Sequence, residues 1–155
     1  MKQNPLQDGR QSERALRIQR GVARMWRNLG HASLSEFTLA SGRRADVLSI
    51  DSANRVFIAE IKSSASDFLS DRKWQDYLEW CDCLYFAIDD NTPMKLIPPS
   101  AGLMMADSFG AEIVREPRER PALSAPRRKA LTLRFAQTAA WRLQQVEDPA
   151  ASIDM

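Results

Sequence analysis

Apolar residues recur at three- and four-residue spacing near the start of the chain: Ala15, Ile18, Val22, Met25, Trp26 and Leu29. Arg14, Arg17, Arg20, Arg24 and Arg27 cover the remaining surface. This spacing predicts an amphipathic helix over 12–29, capped by Ser12 and stopped at Gly30. The pattern then shortens to strand-like runs at 34–40, 44–50 and 55–62, separated by Ser41-Gly42 and by Asp51-Ser52-Ala53-Asn54. The third run, VFIAEIK, is apolar on both alternating faces at its start, which predicts a central strand covered on both sides. A second helix is predicted from Ser66 to about Trp80, with Phe68, Leu69, Tyr77, Leu78 and Cys81 as its apolar face. Residues 83–88 read as a buried strand, and 102–106 with 111–115 as a hairpin around Asp107-Ser108-Phe109-Gly110. Three prolines in 116–126 predict a linker. A last helix over 127–146 places Leu131, Phe135, Ala139, Leu143 and Val146 on one side. The order predicts one mixed α/β (α+β) domain, residues 1–11 and 149–155 being flexible ends.

Composition narrows the chemistry. The 155 residues are 44% hydrophobic and 27% charged, a balance typical of a globular domain. No apolar run approaches the roughly 18 residues of a membrane span, and the first twenty residues lack the apolar core of a signal peptide, so no membrane association and a cytoplasmic location are expected. One histidine, His31, and two cysteines one residue apart, Cys81 and Cys83, cannot assemble a soft four-ligand zinc site. They also leave no basis for a histidine-centred hydrolase. No glycine-rich phosphate loop is present. Carboxylates and lysine must therefore carry any chemistry. Net charge is +2, divided as +5 over residues 1–50, −6 over 51–114 and +3 over 115–155. Basic flanks around an acidic centre suit a polyanion grip around a cation site, and an arginine-rich solvated surface explains the same numbers.

Asp46, Glu60 and Lys62 are the most informative residues. Strand alternation puts Glu60 and Lys62 on one face of a buried strand, and burying either is costly unless it is paired or binds a metal. If Ser52 to Asn54 form a three-residue loop, Asp51 pairs with Arg55 and Asp46 falls directly opposite Glu60. Two facing carboxylates repel unless a divalent cation lies between them, and their oxygens suit Mg²⁺ or Mn²⁺. That pattern points to metal-assisted phosphodiester hydrolysis, with Lys62 orienting water or stabilising developing charge. A surface ion pair between Glu60 and Lys62 at a strand end is the plainer alternative.

The stretches GRRADVLSID, VFIAEIKSSASDF, DRKWQDY and CDCLYFAID resemble the PD-(D/E)xK nuclease superfamily. More closely, they resemble the MmcB-like family of bacterial DNA-repair proteins, with GLMMADSFGAEIVREP and RRKALTLRFAQTAAWRL extending the resemblance over most of the chain. The resemblance implies a restriction-endonuclease-like core, a central mixed sheet flanked by helices, and Mg²⁺ (or Mn²⁺). It assigns Asp46 to the strand aspartate and Glu60 and Lys62 to the ExK; Ala45 replaces the proline. It also implies Glu36 as an additional acidic ligand, a solvent-facing strand residue being the alternative.

Candidate DNA contacts are Arg43 and Arg44 before Asp46, Lys73 and Tyr77 four apart on the second helix, and Arg127, Arg128, Lys129 and Arg134 on the last helix. Cations at a helix N-terminus oppose its dipole, which suggests either an external anion or ion pairs to the acidic centre of the chain. Asp67 is expected to cap the second helix or approach Lys62. The functional expectation is a metal-dependent DNA endonuclease of repair or recombination. The alternative is a DNA-binding or partner-docking module on the same fold; for either reading the expected partners are DNA and a second copy of the chain or a repair protein.

Overall fold

The computed structural model describes residues 12–151. Of the ends expected to be flexible, 1–11 lies outside them, as do residues 152–155 of the 149–155 end. A six-stranded mixed sheet runs in chain order: β1 (Ala32–Thr38), β2 (Arg44–Ile50), β3 (Val56–Ile61), β4 (Cys83–Ile88), β5 (Gly102–Ala106) and β6 (Ala111–Arg115). β1–β2–β3 and β5–β6 pair antiparallel, while β3–β4 and β4–β5 pair parallel. All six residues of β3 are buried, because helices cover both of its faces.

Helix α1 (Glu13–Asn28) packs Ile18, Val22 and Trp26 on one face of the sheet, against Val47, Phe57, Ala59 and Tyr85. The Ser12 hydroxyl accepts from Ala15 N–H at 3.1 Å, and Gly30 follows the helix at φ +84°, the left-handed stop that glycine adopts without strain. His31 bonds Ser49 Oγ through Nδ1 at 3.0 Å and stacks on Trp26. Its role is structural.

The opposite face is covered by α3 (Ala125–Glu147), by a 3-10 segment at Trp74–Trp80 and by the short α2 (Ala65–Ser70). The single second helix expected from Ser66 to Trp80 is therefore two elements. Ser64, not Ser66, caps α2, and the chain turns out of the helix at Asp71 (ψ 95°). The apolar residues of that stretch serve two sites: Phe68 packs edge-on against Phe86, whereas Tyr77 and Leu78 join the core below α3. One straight helix cannot reach both.

The last helix departs from expectation at its far end. Leu131 is its one buried residue and Phe135 packs beside it, but Leu143 and Val146 are more than half exposed. A four-residue step advances about 400°, so a stripe of such steps drifts off the core-facing side. Arg142 lies nearer that side, donating to the carbonyls of Ser35 (2.6 Å) and Glu36 (2.8 Å).

Candidate active site

The β2–β3 turn sets the geometry. Asp51 N–H donates to Arg55 O at 3.2 Å, and Asn54 takes the left-handed conformation at φ +60°. Asp51 Oδ1 accepts from the N–H groups of Ala53 and Arg55, fixing a three-residue loop. The resulting register pairs Val47 with Ala59, so the next row brings Asp46 opposite Glu60. The backbone ladder stops there and side chains continue it. Asp46 N–H donates to Glu60 Oε1 (3.1 Å), and Ile61 N–H donates to Asp46 Oδ2 (2.8 Å). Each carboxylate thus grips the backbone of the strand that carries the other.

Strand alternation also breaks in this row. Ala45 shares the α3-side core with Leu48, three residues away, while Val47 faces α1. On β1 the register places Glu36 across from Asp46, between Ser35↔Val47 and Phe37↔Ala45. Glu36 sits at φ +50°, a conformation costing a non-glycine residue about 1–2 kcal/mol. The strain is held by Arg142 on the Glu36 carbonyl. Acidic residues from three neighbouring strands therefore share one row.

Glu60 and Lys62 are 5% and 7% exposed, which excludes the surface-pair reading. Lys62 does not pair with Glu60. Its Nζ donates to Asp71 Oδ2 at 2.8 Å, while Asp71 Oδ1 accepts from Lys73 N–H. Burial first, and then the Asp46 carboxylate, pushes Glu60 well above the ordinary carboxylate range. Burial likewise raises Asp46, against the pull of Ile61 N–H, Lys62 and Arg44. The site is a buried acid pair with a salt-bridged lysine beside it. Asp71 is the member that sequence reasoning did not assign. The alternative contact, Asp67, bonds Ser63 N–H and Oγ at the start of α2 instead. The turn at Asp71, absent from a continuous helix, brings its carboxylate back to Lys62.

The cationic candidates divide by location. Arg43 stacks over the Tyr77 ring at 4.5 Å and donates to Lys73 O and Asp76. Tyr77 is 4% exposed and its hydroxyl donates to Arg44 O at 2.9 Å; burial, then Glu60, raises its pKa. Arg44 and Lys73 have exposed side chains next to this cluster. The last-helix candidates are held by internal contacts or lie elsewhere. Arg128 forms a two-pronged pair with Asp82 at 2.6 and 2.9 Å and bonds Asn54 O. Arg127 stacks on Trp80 and bonds Glu79 O, and Arg134 bonds Thr38 O. Lys129 is exposed beside Asn54, at the opposite end of the β2–β3 hairpin from Asp46. The excess of cations near the start of α3 is thus met largely by acceptors within the chain.

Among the described residues, no helix is long and apolar enough to cross a membrane. No curated protein matches the chain. A solved structure of similar fold, a protein of unknown function from Silicibacter pomeroyi (SPO1766), is 43% identical, with a TM-score of 0.88 over 93% of this chain and 99% of that one. The model of the MmcB-like family, described as DNA repair protein MmcB-like, matches residues 2–150. With nearly its whole length matched, this chain belongs to the MmcB-like DNA repair protein family.

Proposed function

We propose that the protein is a metal-dependent DNA endonuclease of the PD-(D/E)xK type, with Asp46, Glu60 and Lys62 as its catalytic residues. The observation that carries this reading is the buried row itself. Two carboxylates on adjacent strands are held face to face by each other's backbone, both raised by burial, with a buried lysine two residues beyond Glu60. A structural ion pair needs one acid; here two face each other, and the buried lysine beside them pairs with Asp71 instead. Such an arrangement is unfavourable for the bare fold and is expected where a site is shaped for a ligand.

The donor chemistry fits a hard divalent cation. Asp46 and Glu60 offer only oxygen, and among the described residues no group of three or more His, Cys, Asp or Glu side chains is placed to hold a metal. A cation of the Mg²⁺ or Mn²⁺ kind, which uses one or two carboxylates and completes its shell with water and substrate phosphate, would take Asp46 and Glu60. Glu36 shares the row from β1 but is not grouped with the pair as placed, so it would join the metal only after its side chain moves. When bound, the metal supplies Lewis-acid polarisation of the phosphoryl oxygen and an acidified water. The chain's own residues supply the rest. Asp71 fixes the Lys62 ammonium at the edge of the acid pair, where it holds positive charge toward the scissile phosphate. Arg44 and Lys73, exposed beside the site, are the side chains best placed to meet flanking phosphates. Arg43 positions Tyr77 and the 3-10 segment. The internal contacts of Tyr77, Arg127, Arg128 and Arg134 make them supports of the fold in this reading.

The test is cleavage of labelled single-stranded, duplex, flap, gapped and four-way-junction DNA with Mg²⁺, Mn²⁺ or EDTA, comparing wild type with Glu60→Gln and Lys62→Ala. Metal-dependent cutting that both variants lose, with DNA affinity largely kept, is the expected result. Binding without cutting on every substrate would replace this reading with the docking module.

A further inference from the structure

Helix α3 has a face that none of the described residues covers. Of its 23 residues only Leu131 is buried, while Leu133 and Leu143 are 59% and 57% exposed and Lys129, Ala136, Ala140 and Glu147 are exposed as well. These six residues follow one another at steps of four, three, four, three and four. This is the alternation that lines a single seam of a helix packed against another helix. The stripe lies away from Leu131, Phe135 and Arg142, which face the sheet. It spans about 27 Å at 1.5 Å per residue.

The order of residues in the stripe is itself informative. Read from either end it runs charged, Leu, Ala, Ala, Leu, charged, and the two end charges are opposite: Lys129 and Glu147. A second copy laid antiparallel, centred on position 138, meets Leu133 with the partner's Leu143, Ala136 with the partner's Ala140, and Lys129 with the partner's Glu147. A two-fold axis then repeats every contact. A parallel copy in register would instead set like charges together at both ends. The paired alanines at the centre let the backbones approach closely, and the leucines fill the layers on either side.

We propose that this face is a homodimer interface in which two α3 helices pack antiparallel about a two-fold axis at residue 138. The surface is independent of the nuclease reading. In the dimer, α3 also connects the two copies of the acidic row, because Arg142 on the same helix holds the strained backbone at Glu36. A seam of one helix pair falls near or below the lower end of the about 1,200–2,000 Å² buried by specific interfaces, so a dissociation constant in the micromolar range is expected.

Sedimentation velocity over a concentration series, without DNA, tests the proposal on the full chain. Wild type is expected to pass from monomer to dimer across micromolar concentrations. Ala140→Glu, which puts a charge on the central layer, should raise the dissociation constant at least about 100-fold with an unchanged circular dichroism spectrum. Lys129→Glu and Glu147→Lys should each weaken it about tenfold, and the double exchange should restore it. Register is read by cysteine pairing: a mixture of Ala136→Cys and Ala140→Cys chains should cross-link between the two kinds under mild oxidation, whereas a parallel seam would join Ala136→Cys to itself. A wild-type chain that stays monomeric at hundreds of micromolar, or a dimer untouched by Ala140→Glu, overturns the proposal. A double exchange that fails to recover overturns the antiparallel register.

Discussion

Asp82 joins four segments through one carboxylate, and removing its charge should loosen the side of the domain that carries α3. Its oxygens accept from Val56 N–H (2.7 Å) on β3, from Leu123 N–H (3.1 Å) in the approach to α3, and from both terminal nitrogens of Arg128. Arg128 in turn holds Asn54 O at the β2–β3 turn that sets the register of the acidic row. Burial acts to raise the Asp82 pKa, but the hydrogen bonds from Arg128, Val56 and Leu123 outweigh it and hold the carboxyl at about 2, against an ordinary 3.8. A shift of that size corresponds to roughly 2 kcal/mol of folding free energy, and partial hydration of the pair trims it. Asp82→Asn also leaves Arg128 without its counter-charge, which adds a penalty of its own. The expected loss at pH 7 is about 2–3 kcal/mol.

The sign of the pH dependence is fixed. Because the folded pKa lies below the unfolded one, the carboxylate stabilises the fold above about pH 4, and that stabilisation disappears as pH falls toward 2. Urea unfolding of wild type and Asp82→Asn at pH 7, 5 and 3 checks this. The gap in stability should be nearly the same at pH 7 and 5 and should shrink clearly at pH 3. A gap that does not change with pH would mean that shape and hydrogen-bond count, rather than charge, hold this corner together. A gap under about 0.5 kcal/mol at pH 7 would refute the reasoning.

Other outcomes follow from the same structure. Glu60 has its pKa raised by burial and by Asp46, so at pH 7 its charge opposes folding. Glu60→Gln should raise the urea midpoint at pH 7, with the gain shrinking as pH falls and gone below the ordinary carboxylate value of 4.5, and added Mg²⁺ or Mn²⁺ should raise the melting temperature of wild type but not of this variant. A β-carbon at Gly21 would overlap the carbonyl oxygens of Asp107 and Gly110 at the β5–β6 turn, so Gly21→Ala should cost at least about 2–3 kcal/mol in thermal unfolding, whereas Gly42→Ala meets no neighbour and is strained only by its φ of +89°. Burial pushes the Cys81 thiol up to about 12 and raises Cys83 as well; a thiol reagent at pH 8 should label neither quickly in the folded chain and both on unfolding.

Much of the fold was legible because local signals and burial agreed. The boundaries of β2, β4, β5 and β6 follow the apolar runs, and the Asp51–Arg55 turn carries enough local chemistry to predict a register that brings Asp46 to Glu60. The second helix was misread because hydrophobic spacing reports that residues are apolar, not which pocket each one fills. Phe68 and Tyr77 belong to different cores, and the break at Asp71 follows from that. Asp71 was missed as the partner of Lys62 for the same reason, since its position depends on a turn that tertiary packing imposes. Glu36 could be placed on a strand, but its left-handed backbone depends on Arg142, more than a hundred residues away in sequence. No local pattern contains that contact.

Charge was the most misleading signal, and the contacts show why. The basic excess at the start of α3 reads as a polyanion footprint, yet Arg127 and Arg128 end on a carbonyl and a carboxylate of the acidic centre and Arg134 ends on the Thr38 carbonyl of β1. Arg14, at the opposite side of the sheet, likewise grips Asp89 with both nitrogens. In a chain of this length, arginine forks fasten helices to strand ends and turns, where backbone carbonyls lack ladder partners. Each such contact removes a cation from the field that an approaching nucleic acid would meet. With so many arginines fastened within the chain, only about two phosphate contacts are expected near the acid pair, where Lys73 is exposed, so salt dependence of DNA binding should be shallow: a slope near −2 in log K against log salt for duplex DNA, rather than the steep slope that the count of arginines suggests. A measured slope steeper than about −4 would mean that the arginines now bonded within the chain are released to phosphates on binding. The view of α3 as a fastened structural helix would then have to be abandoned.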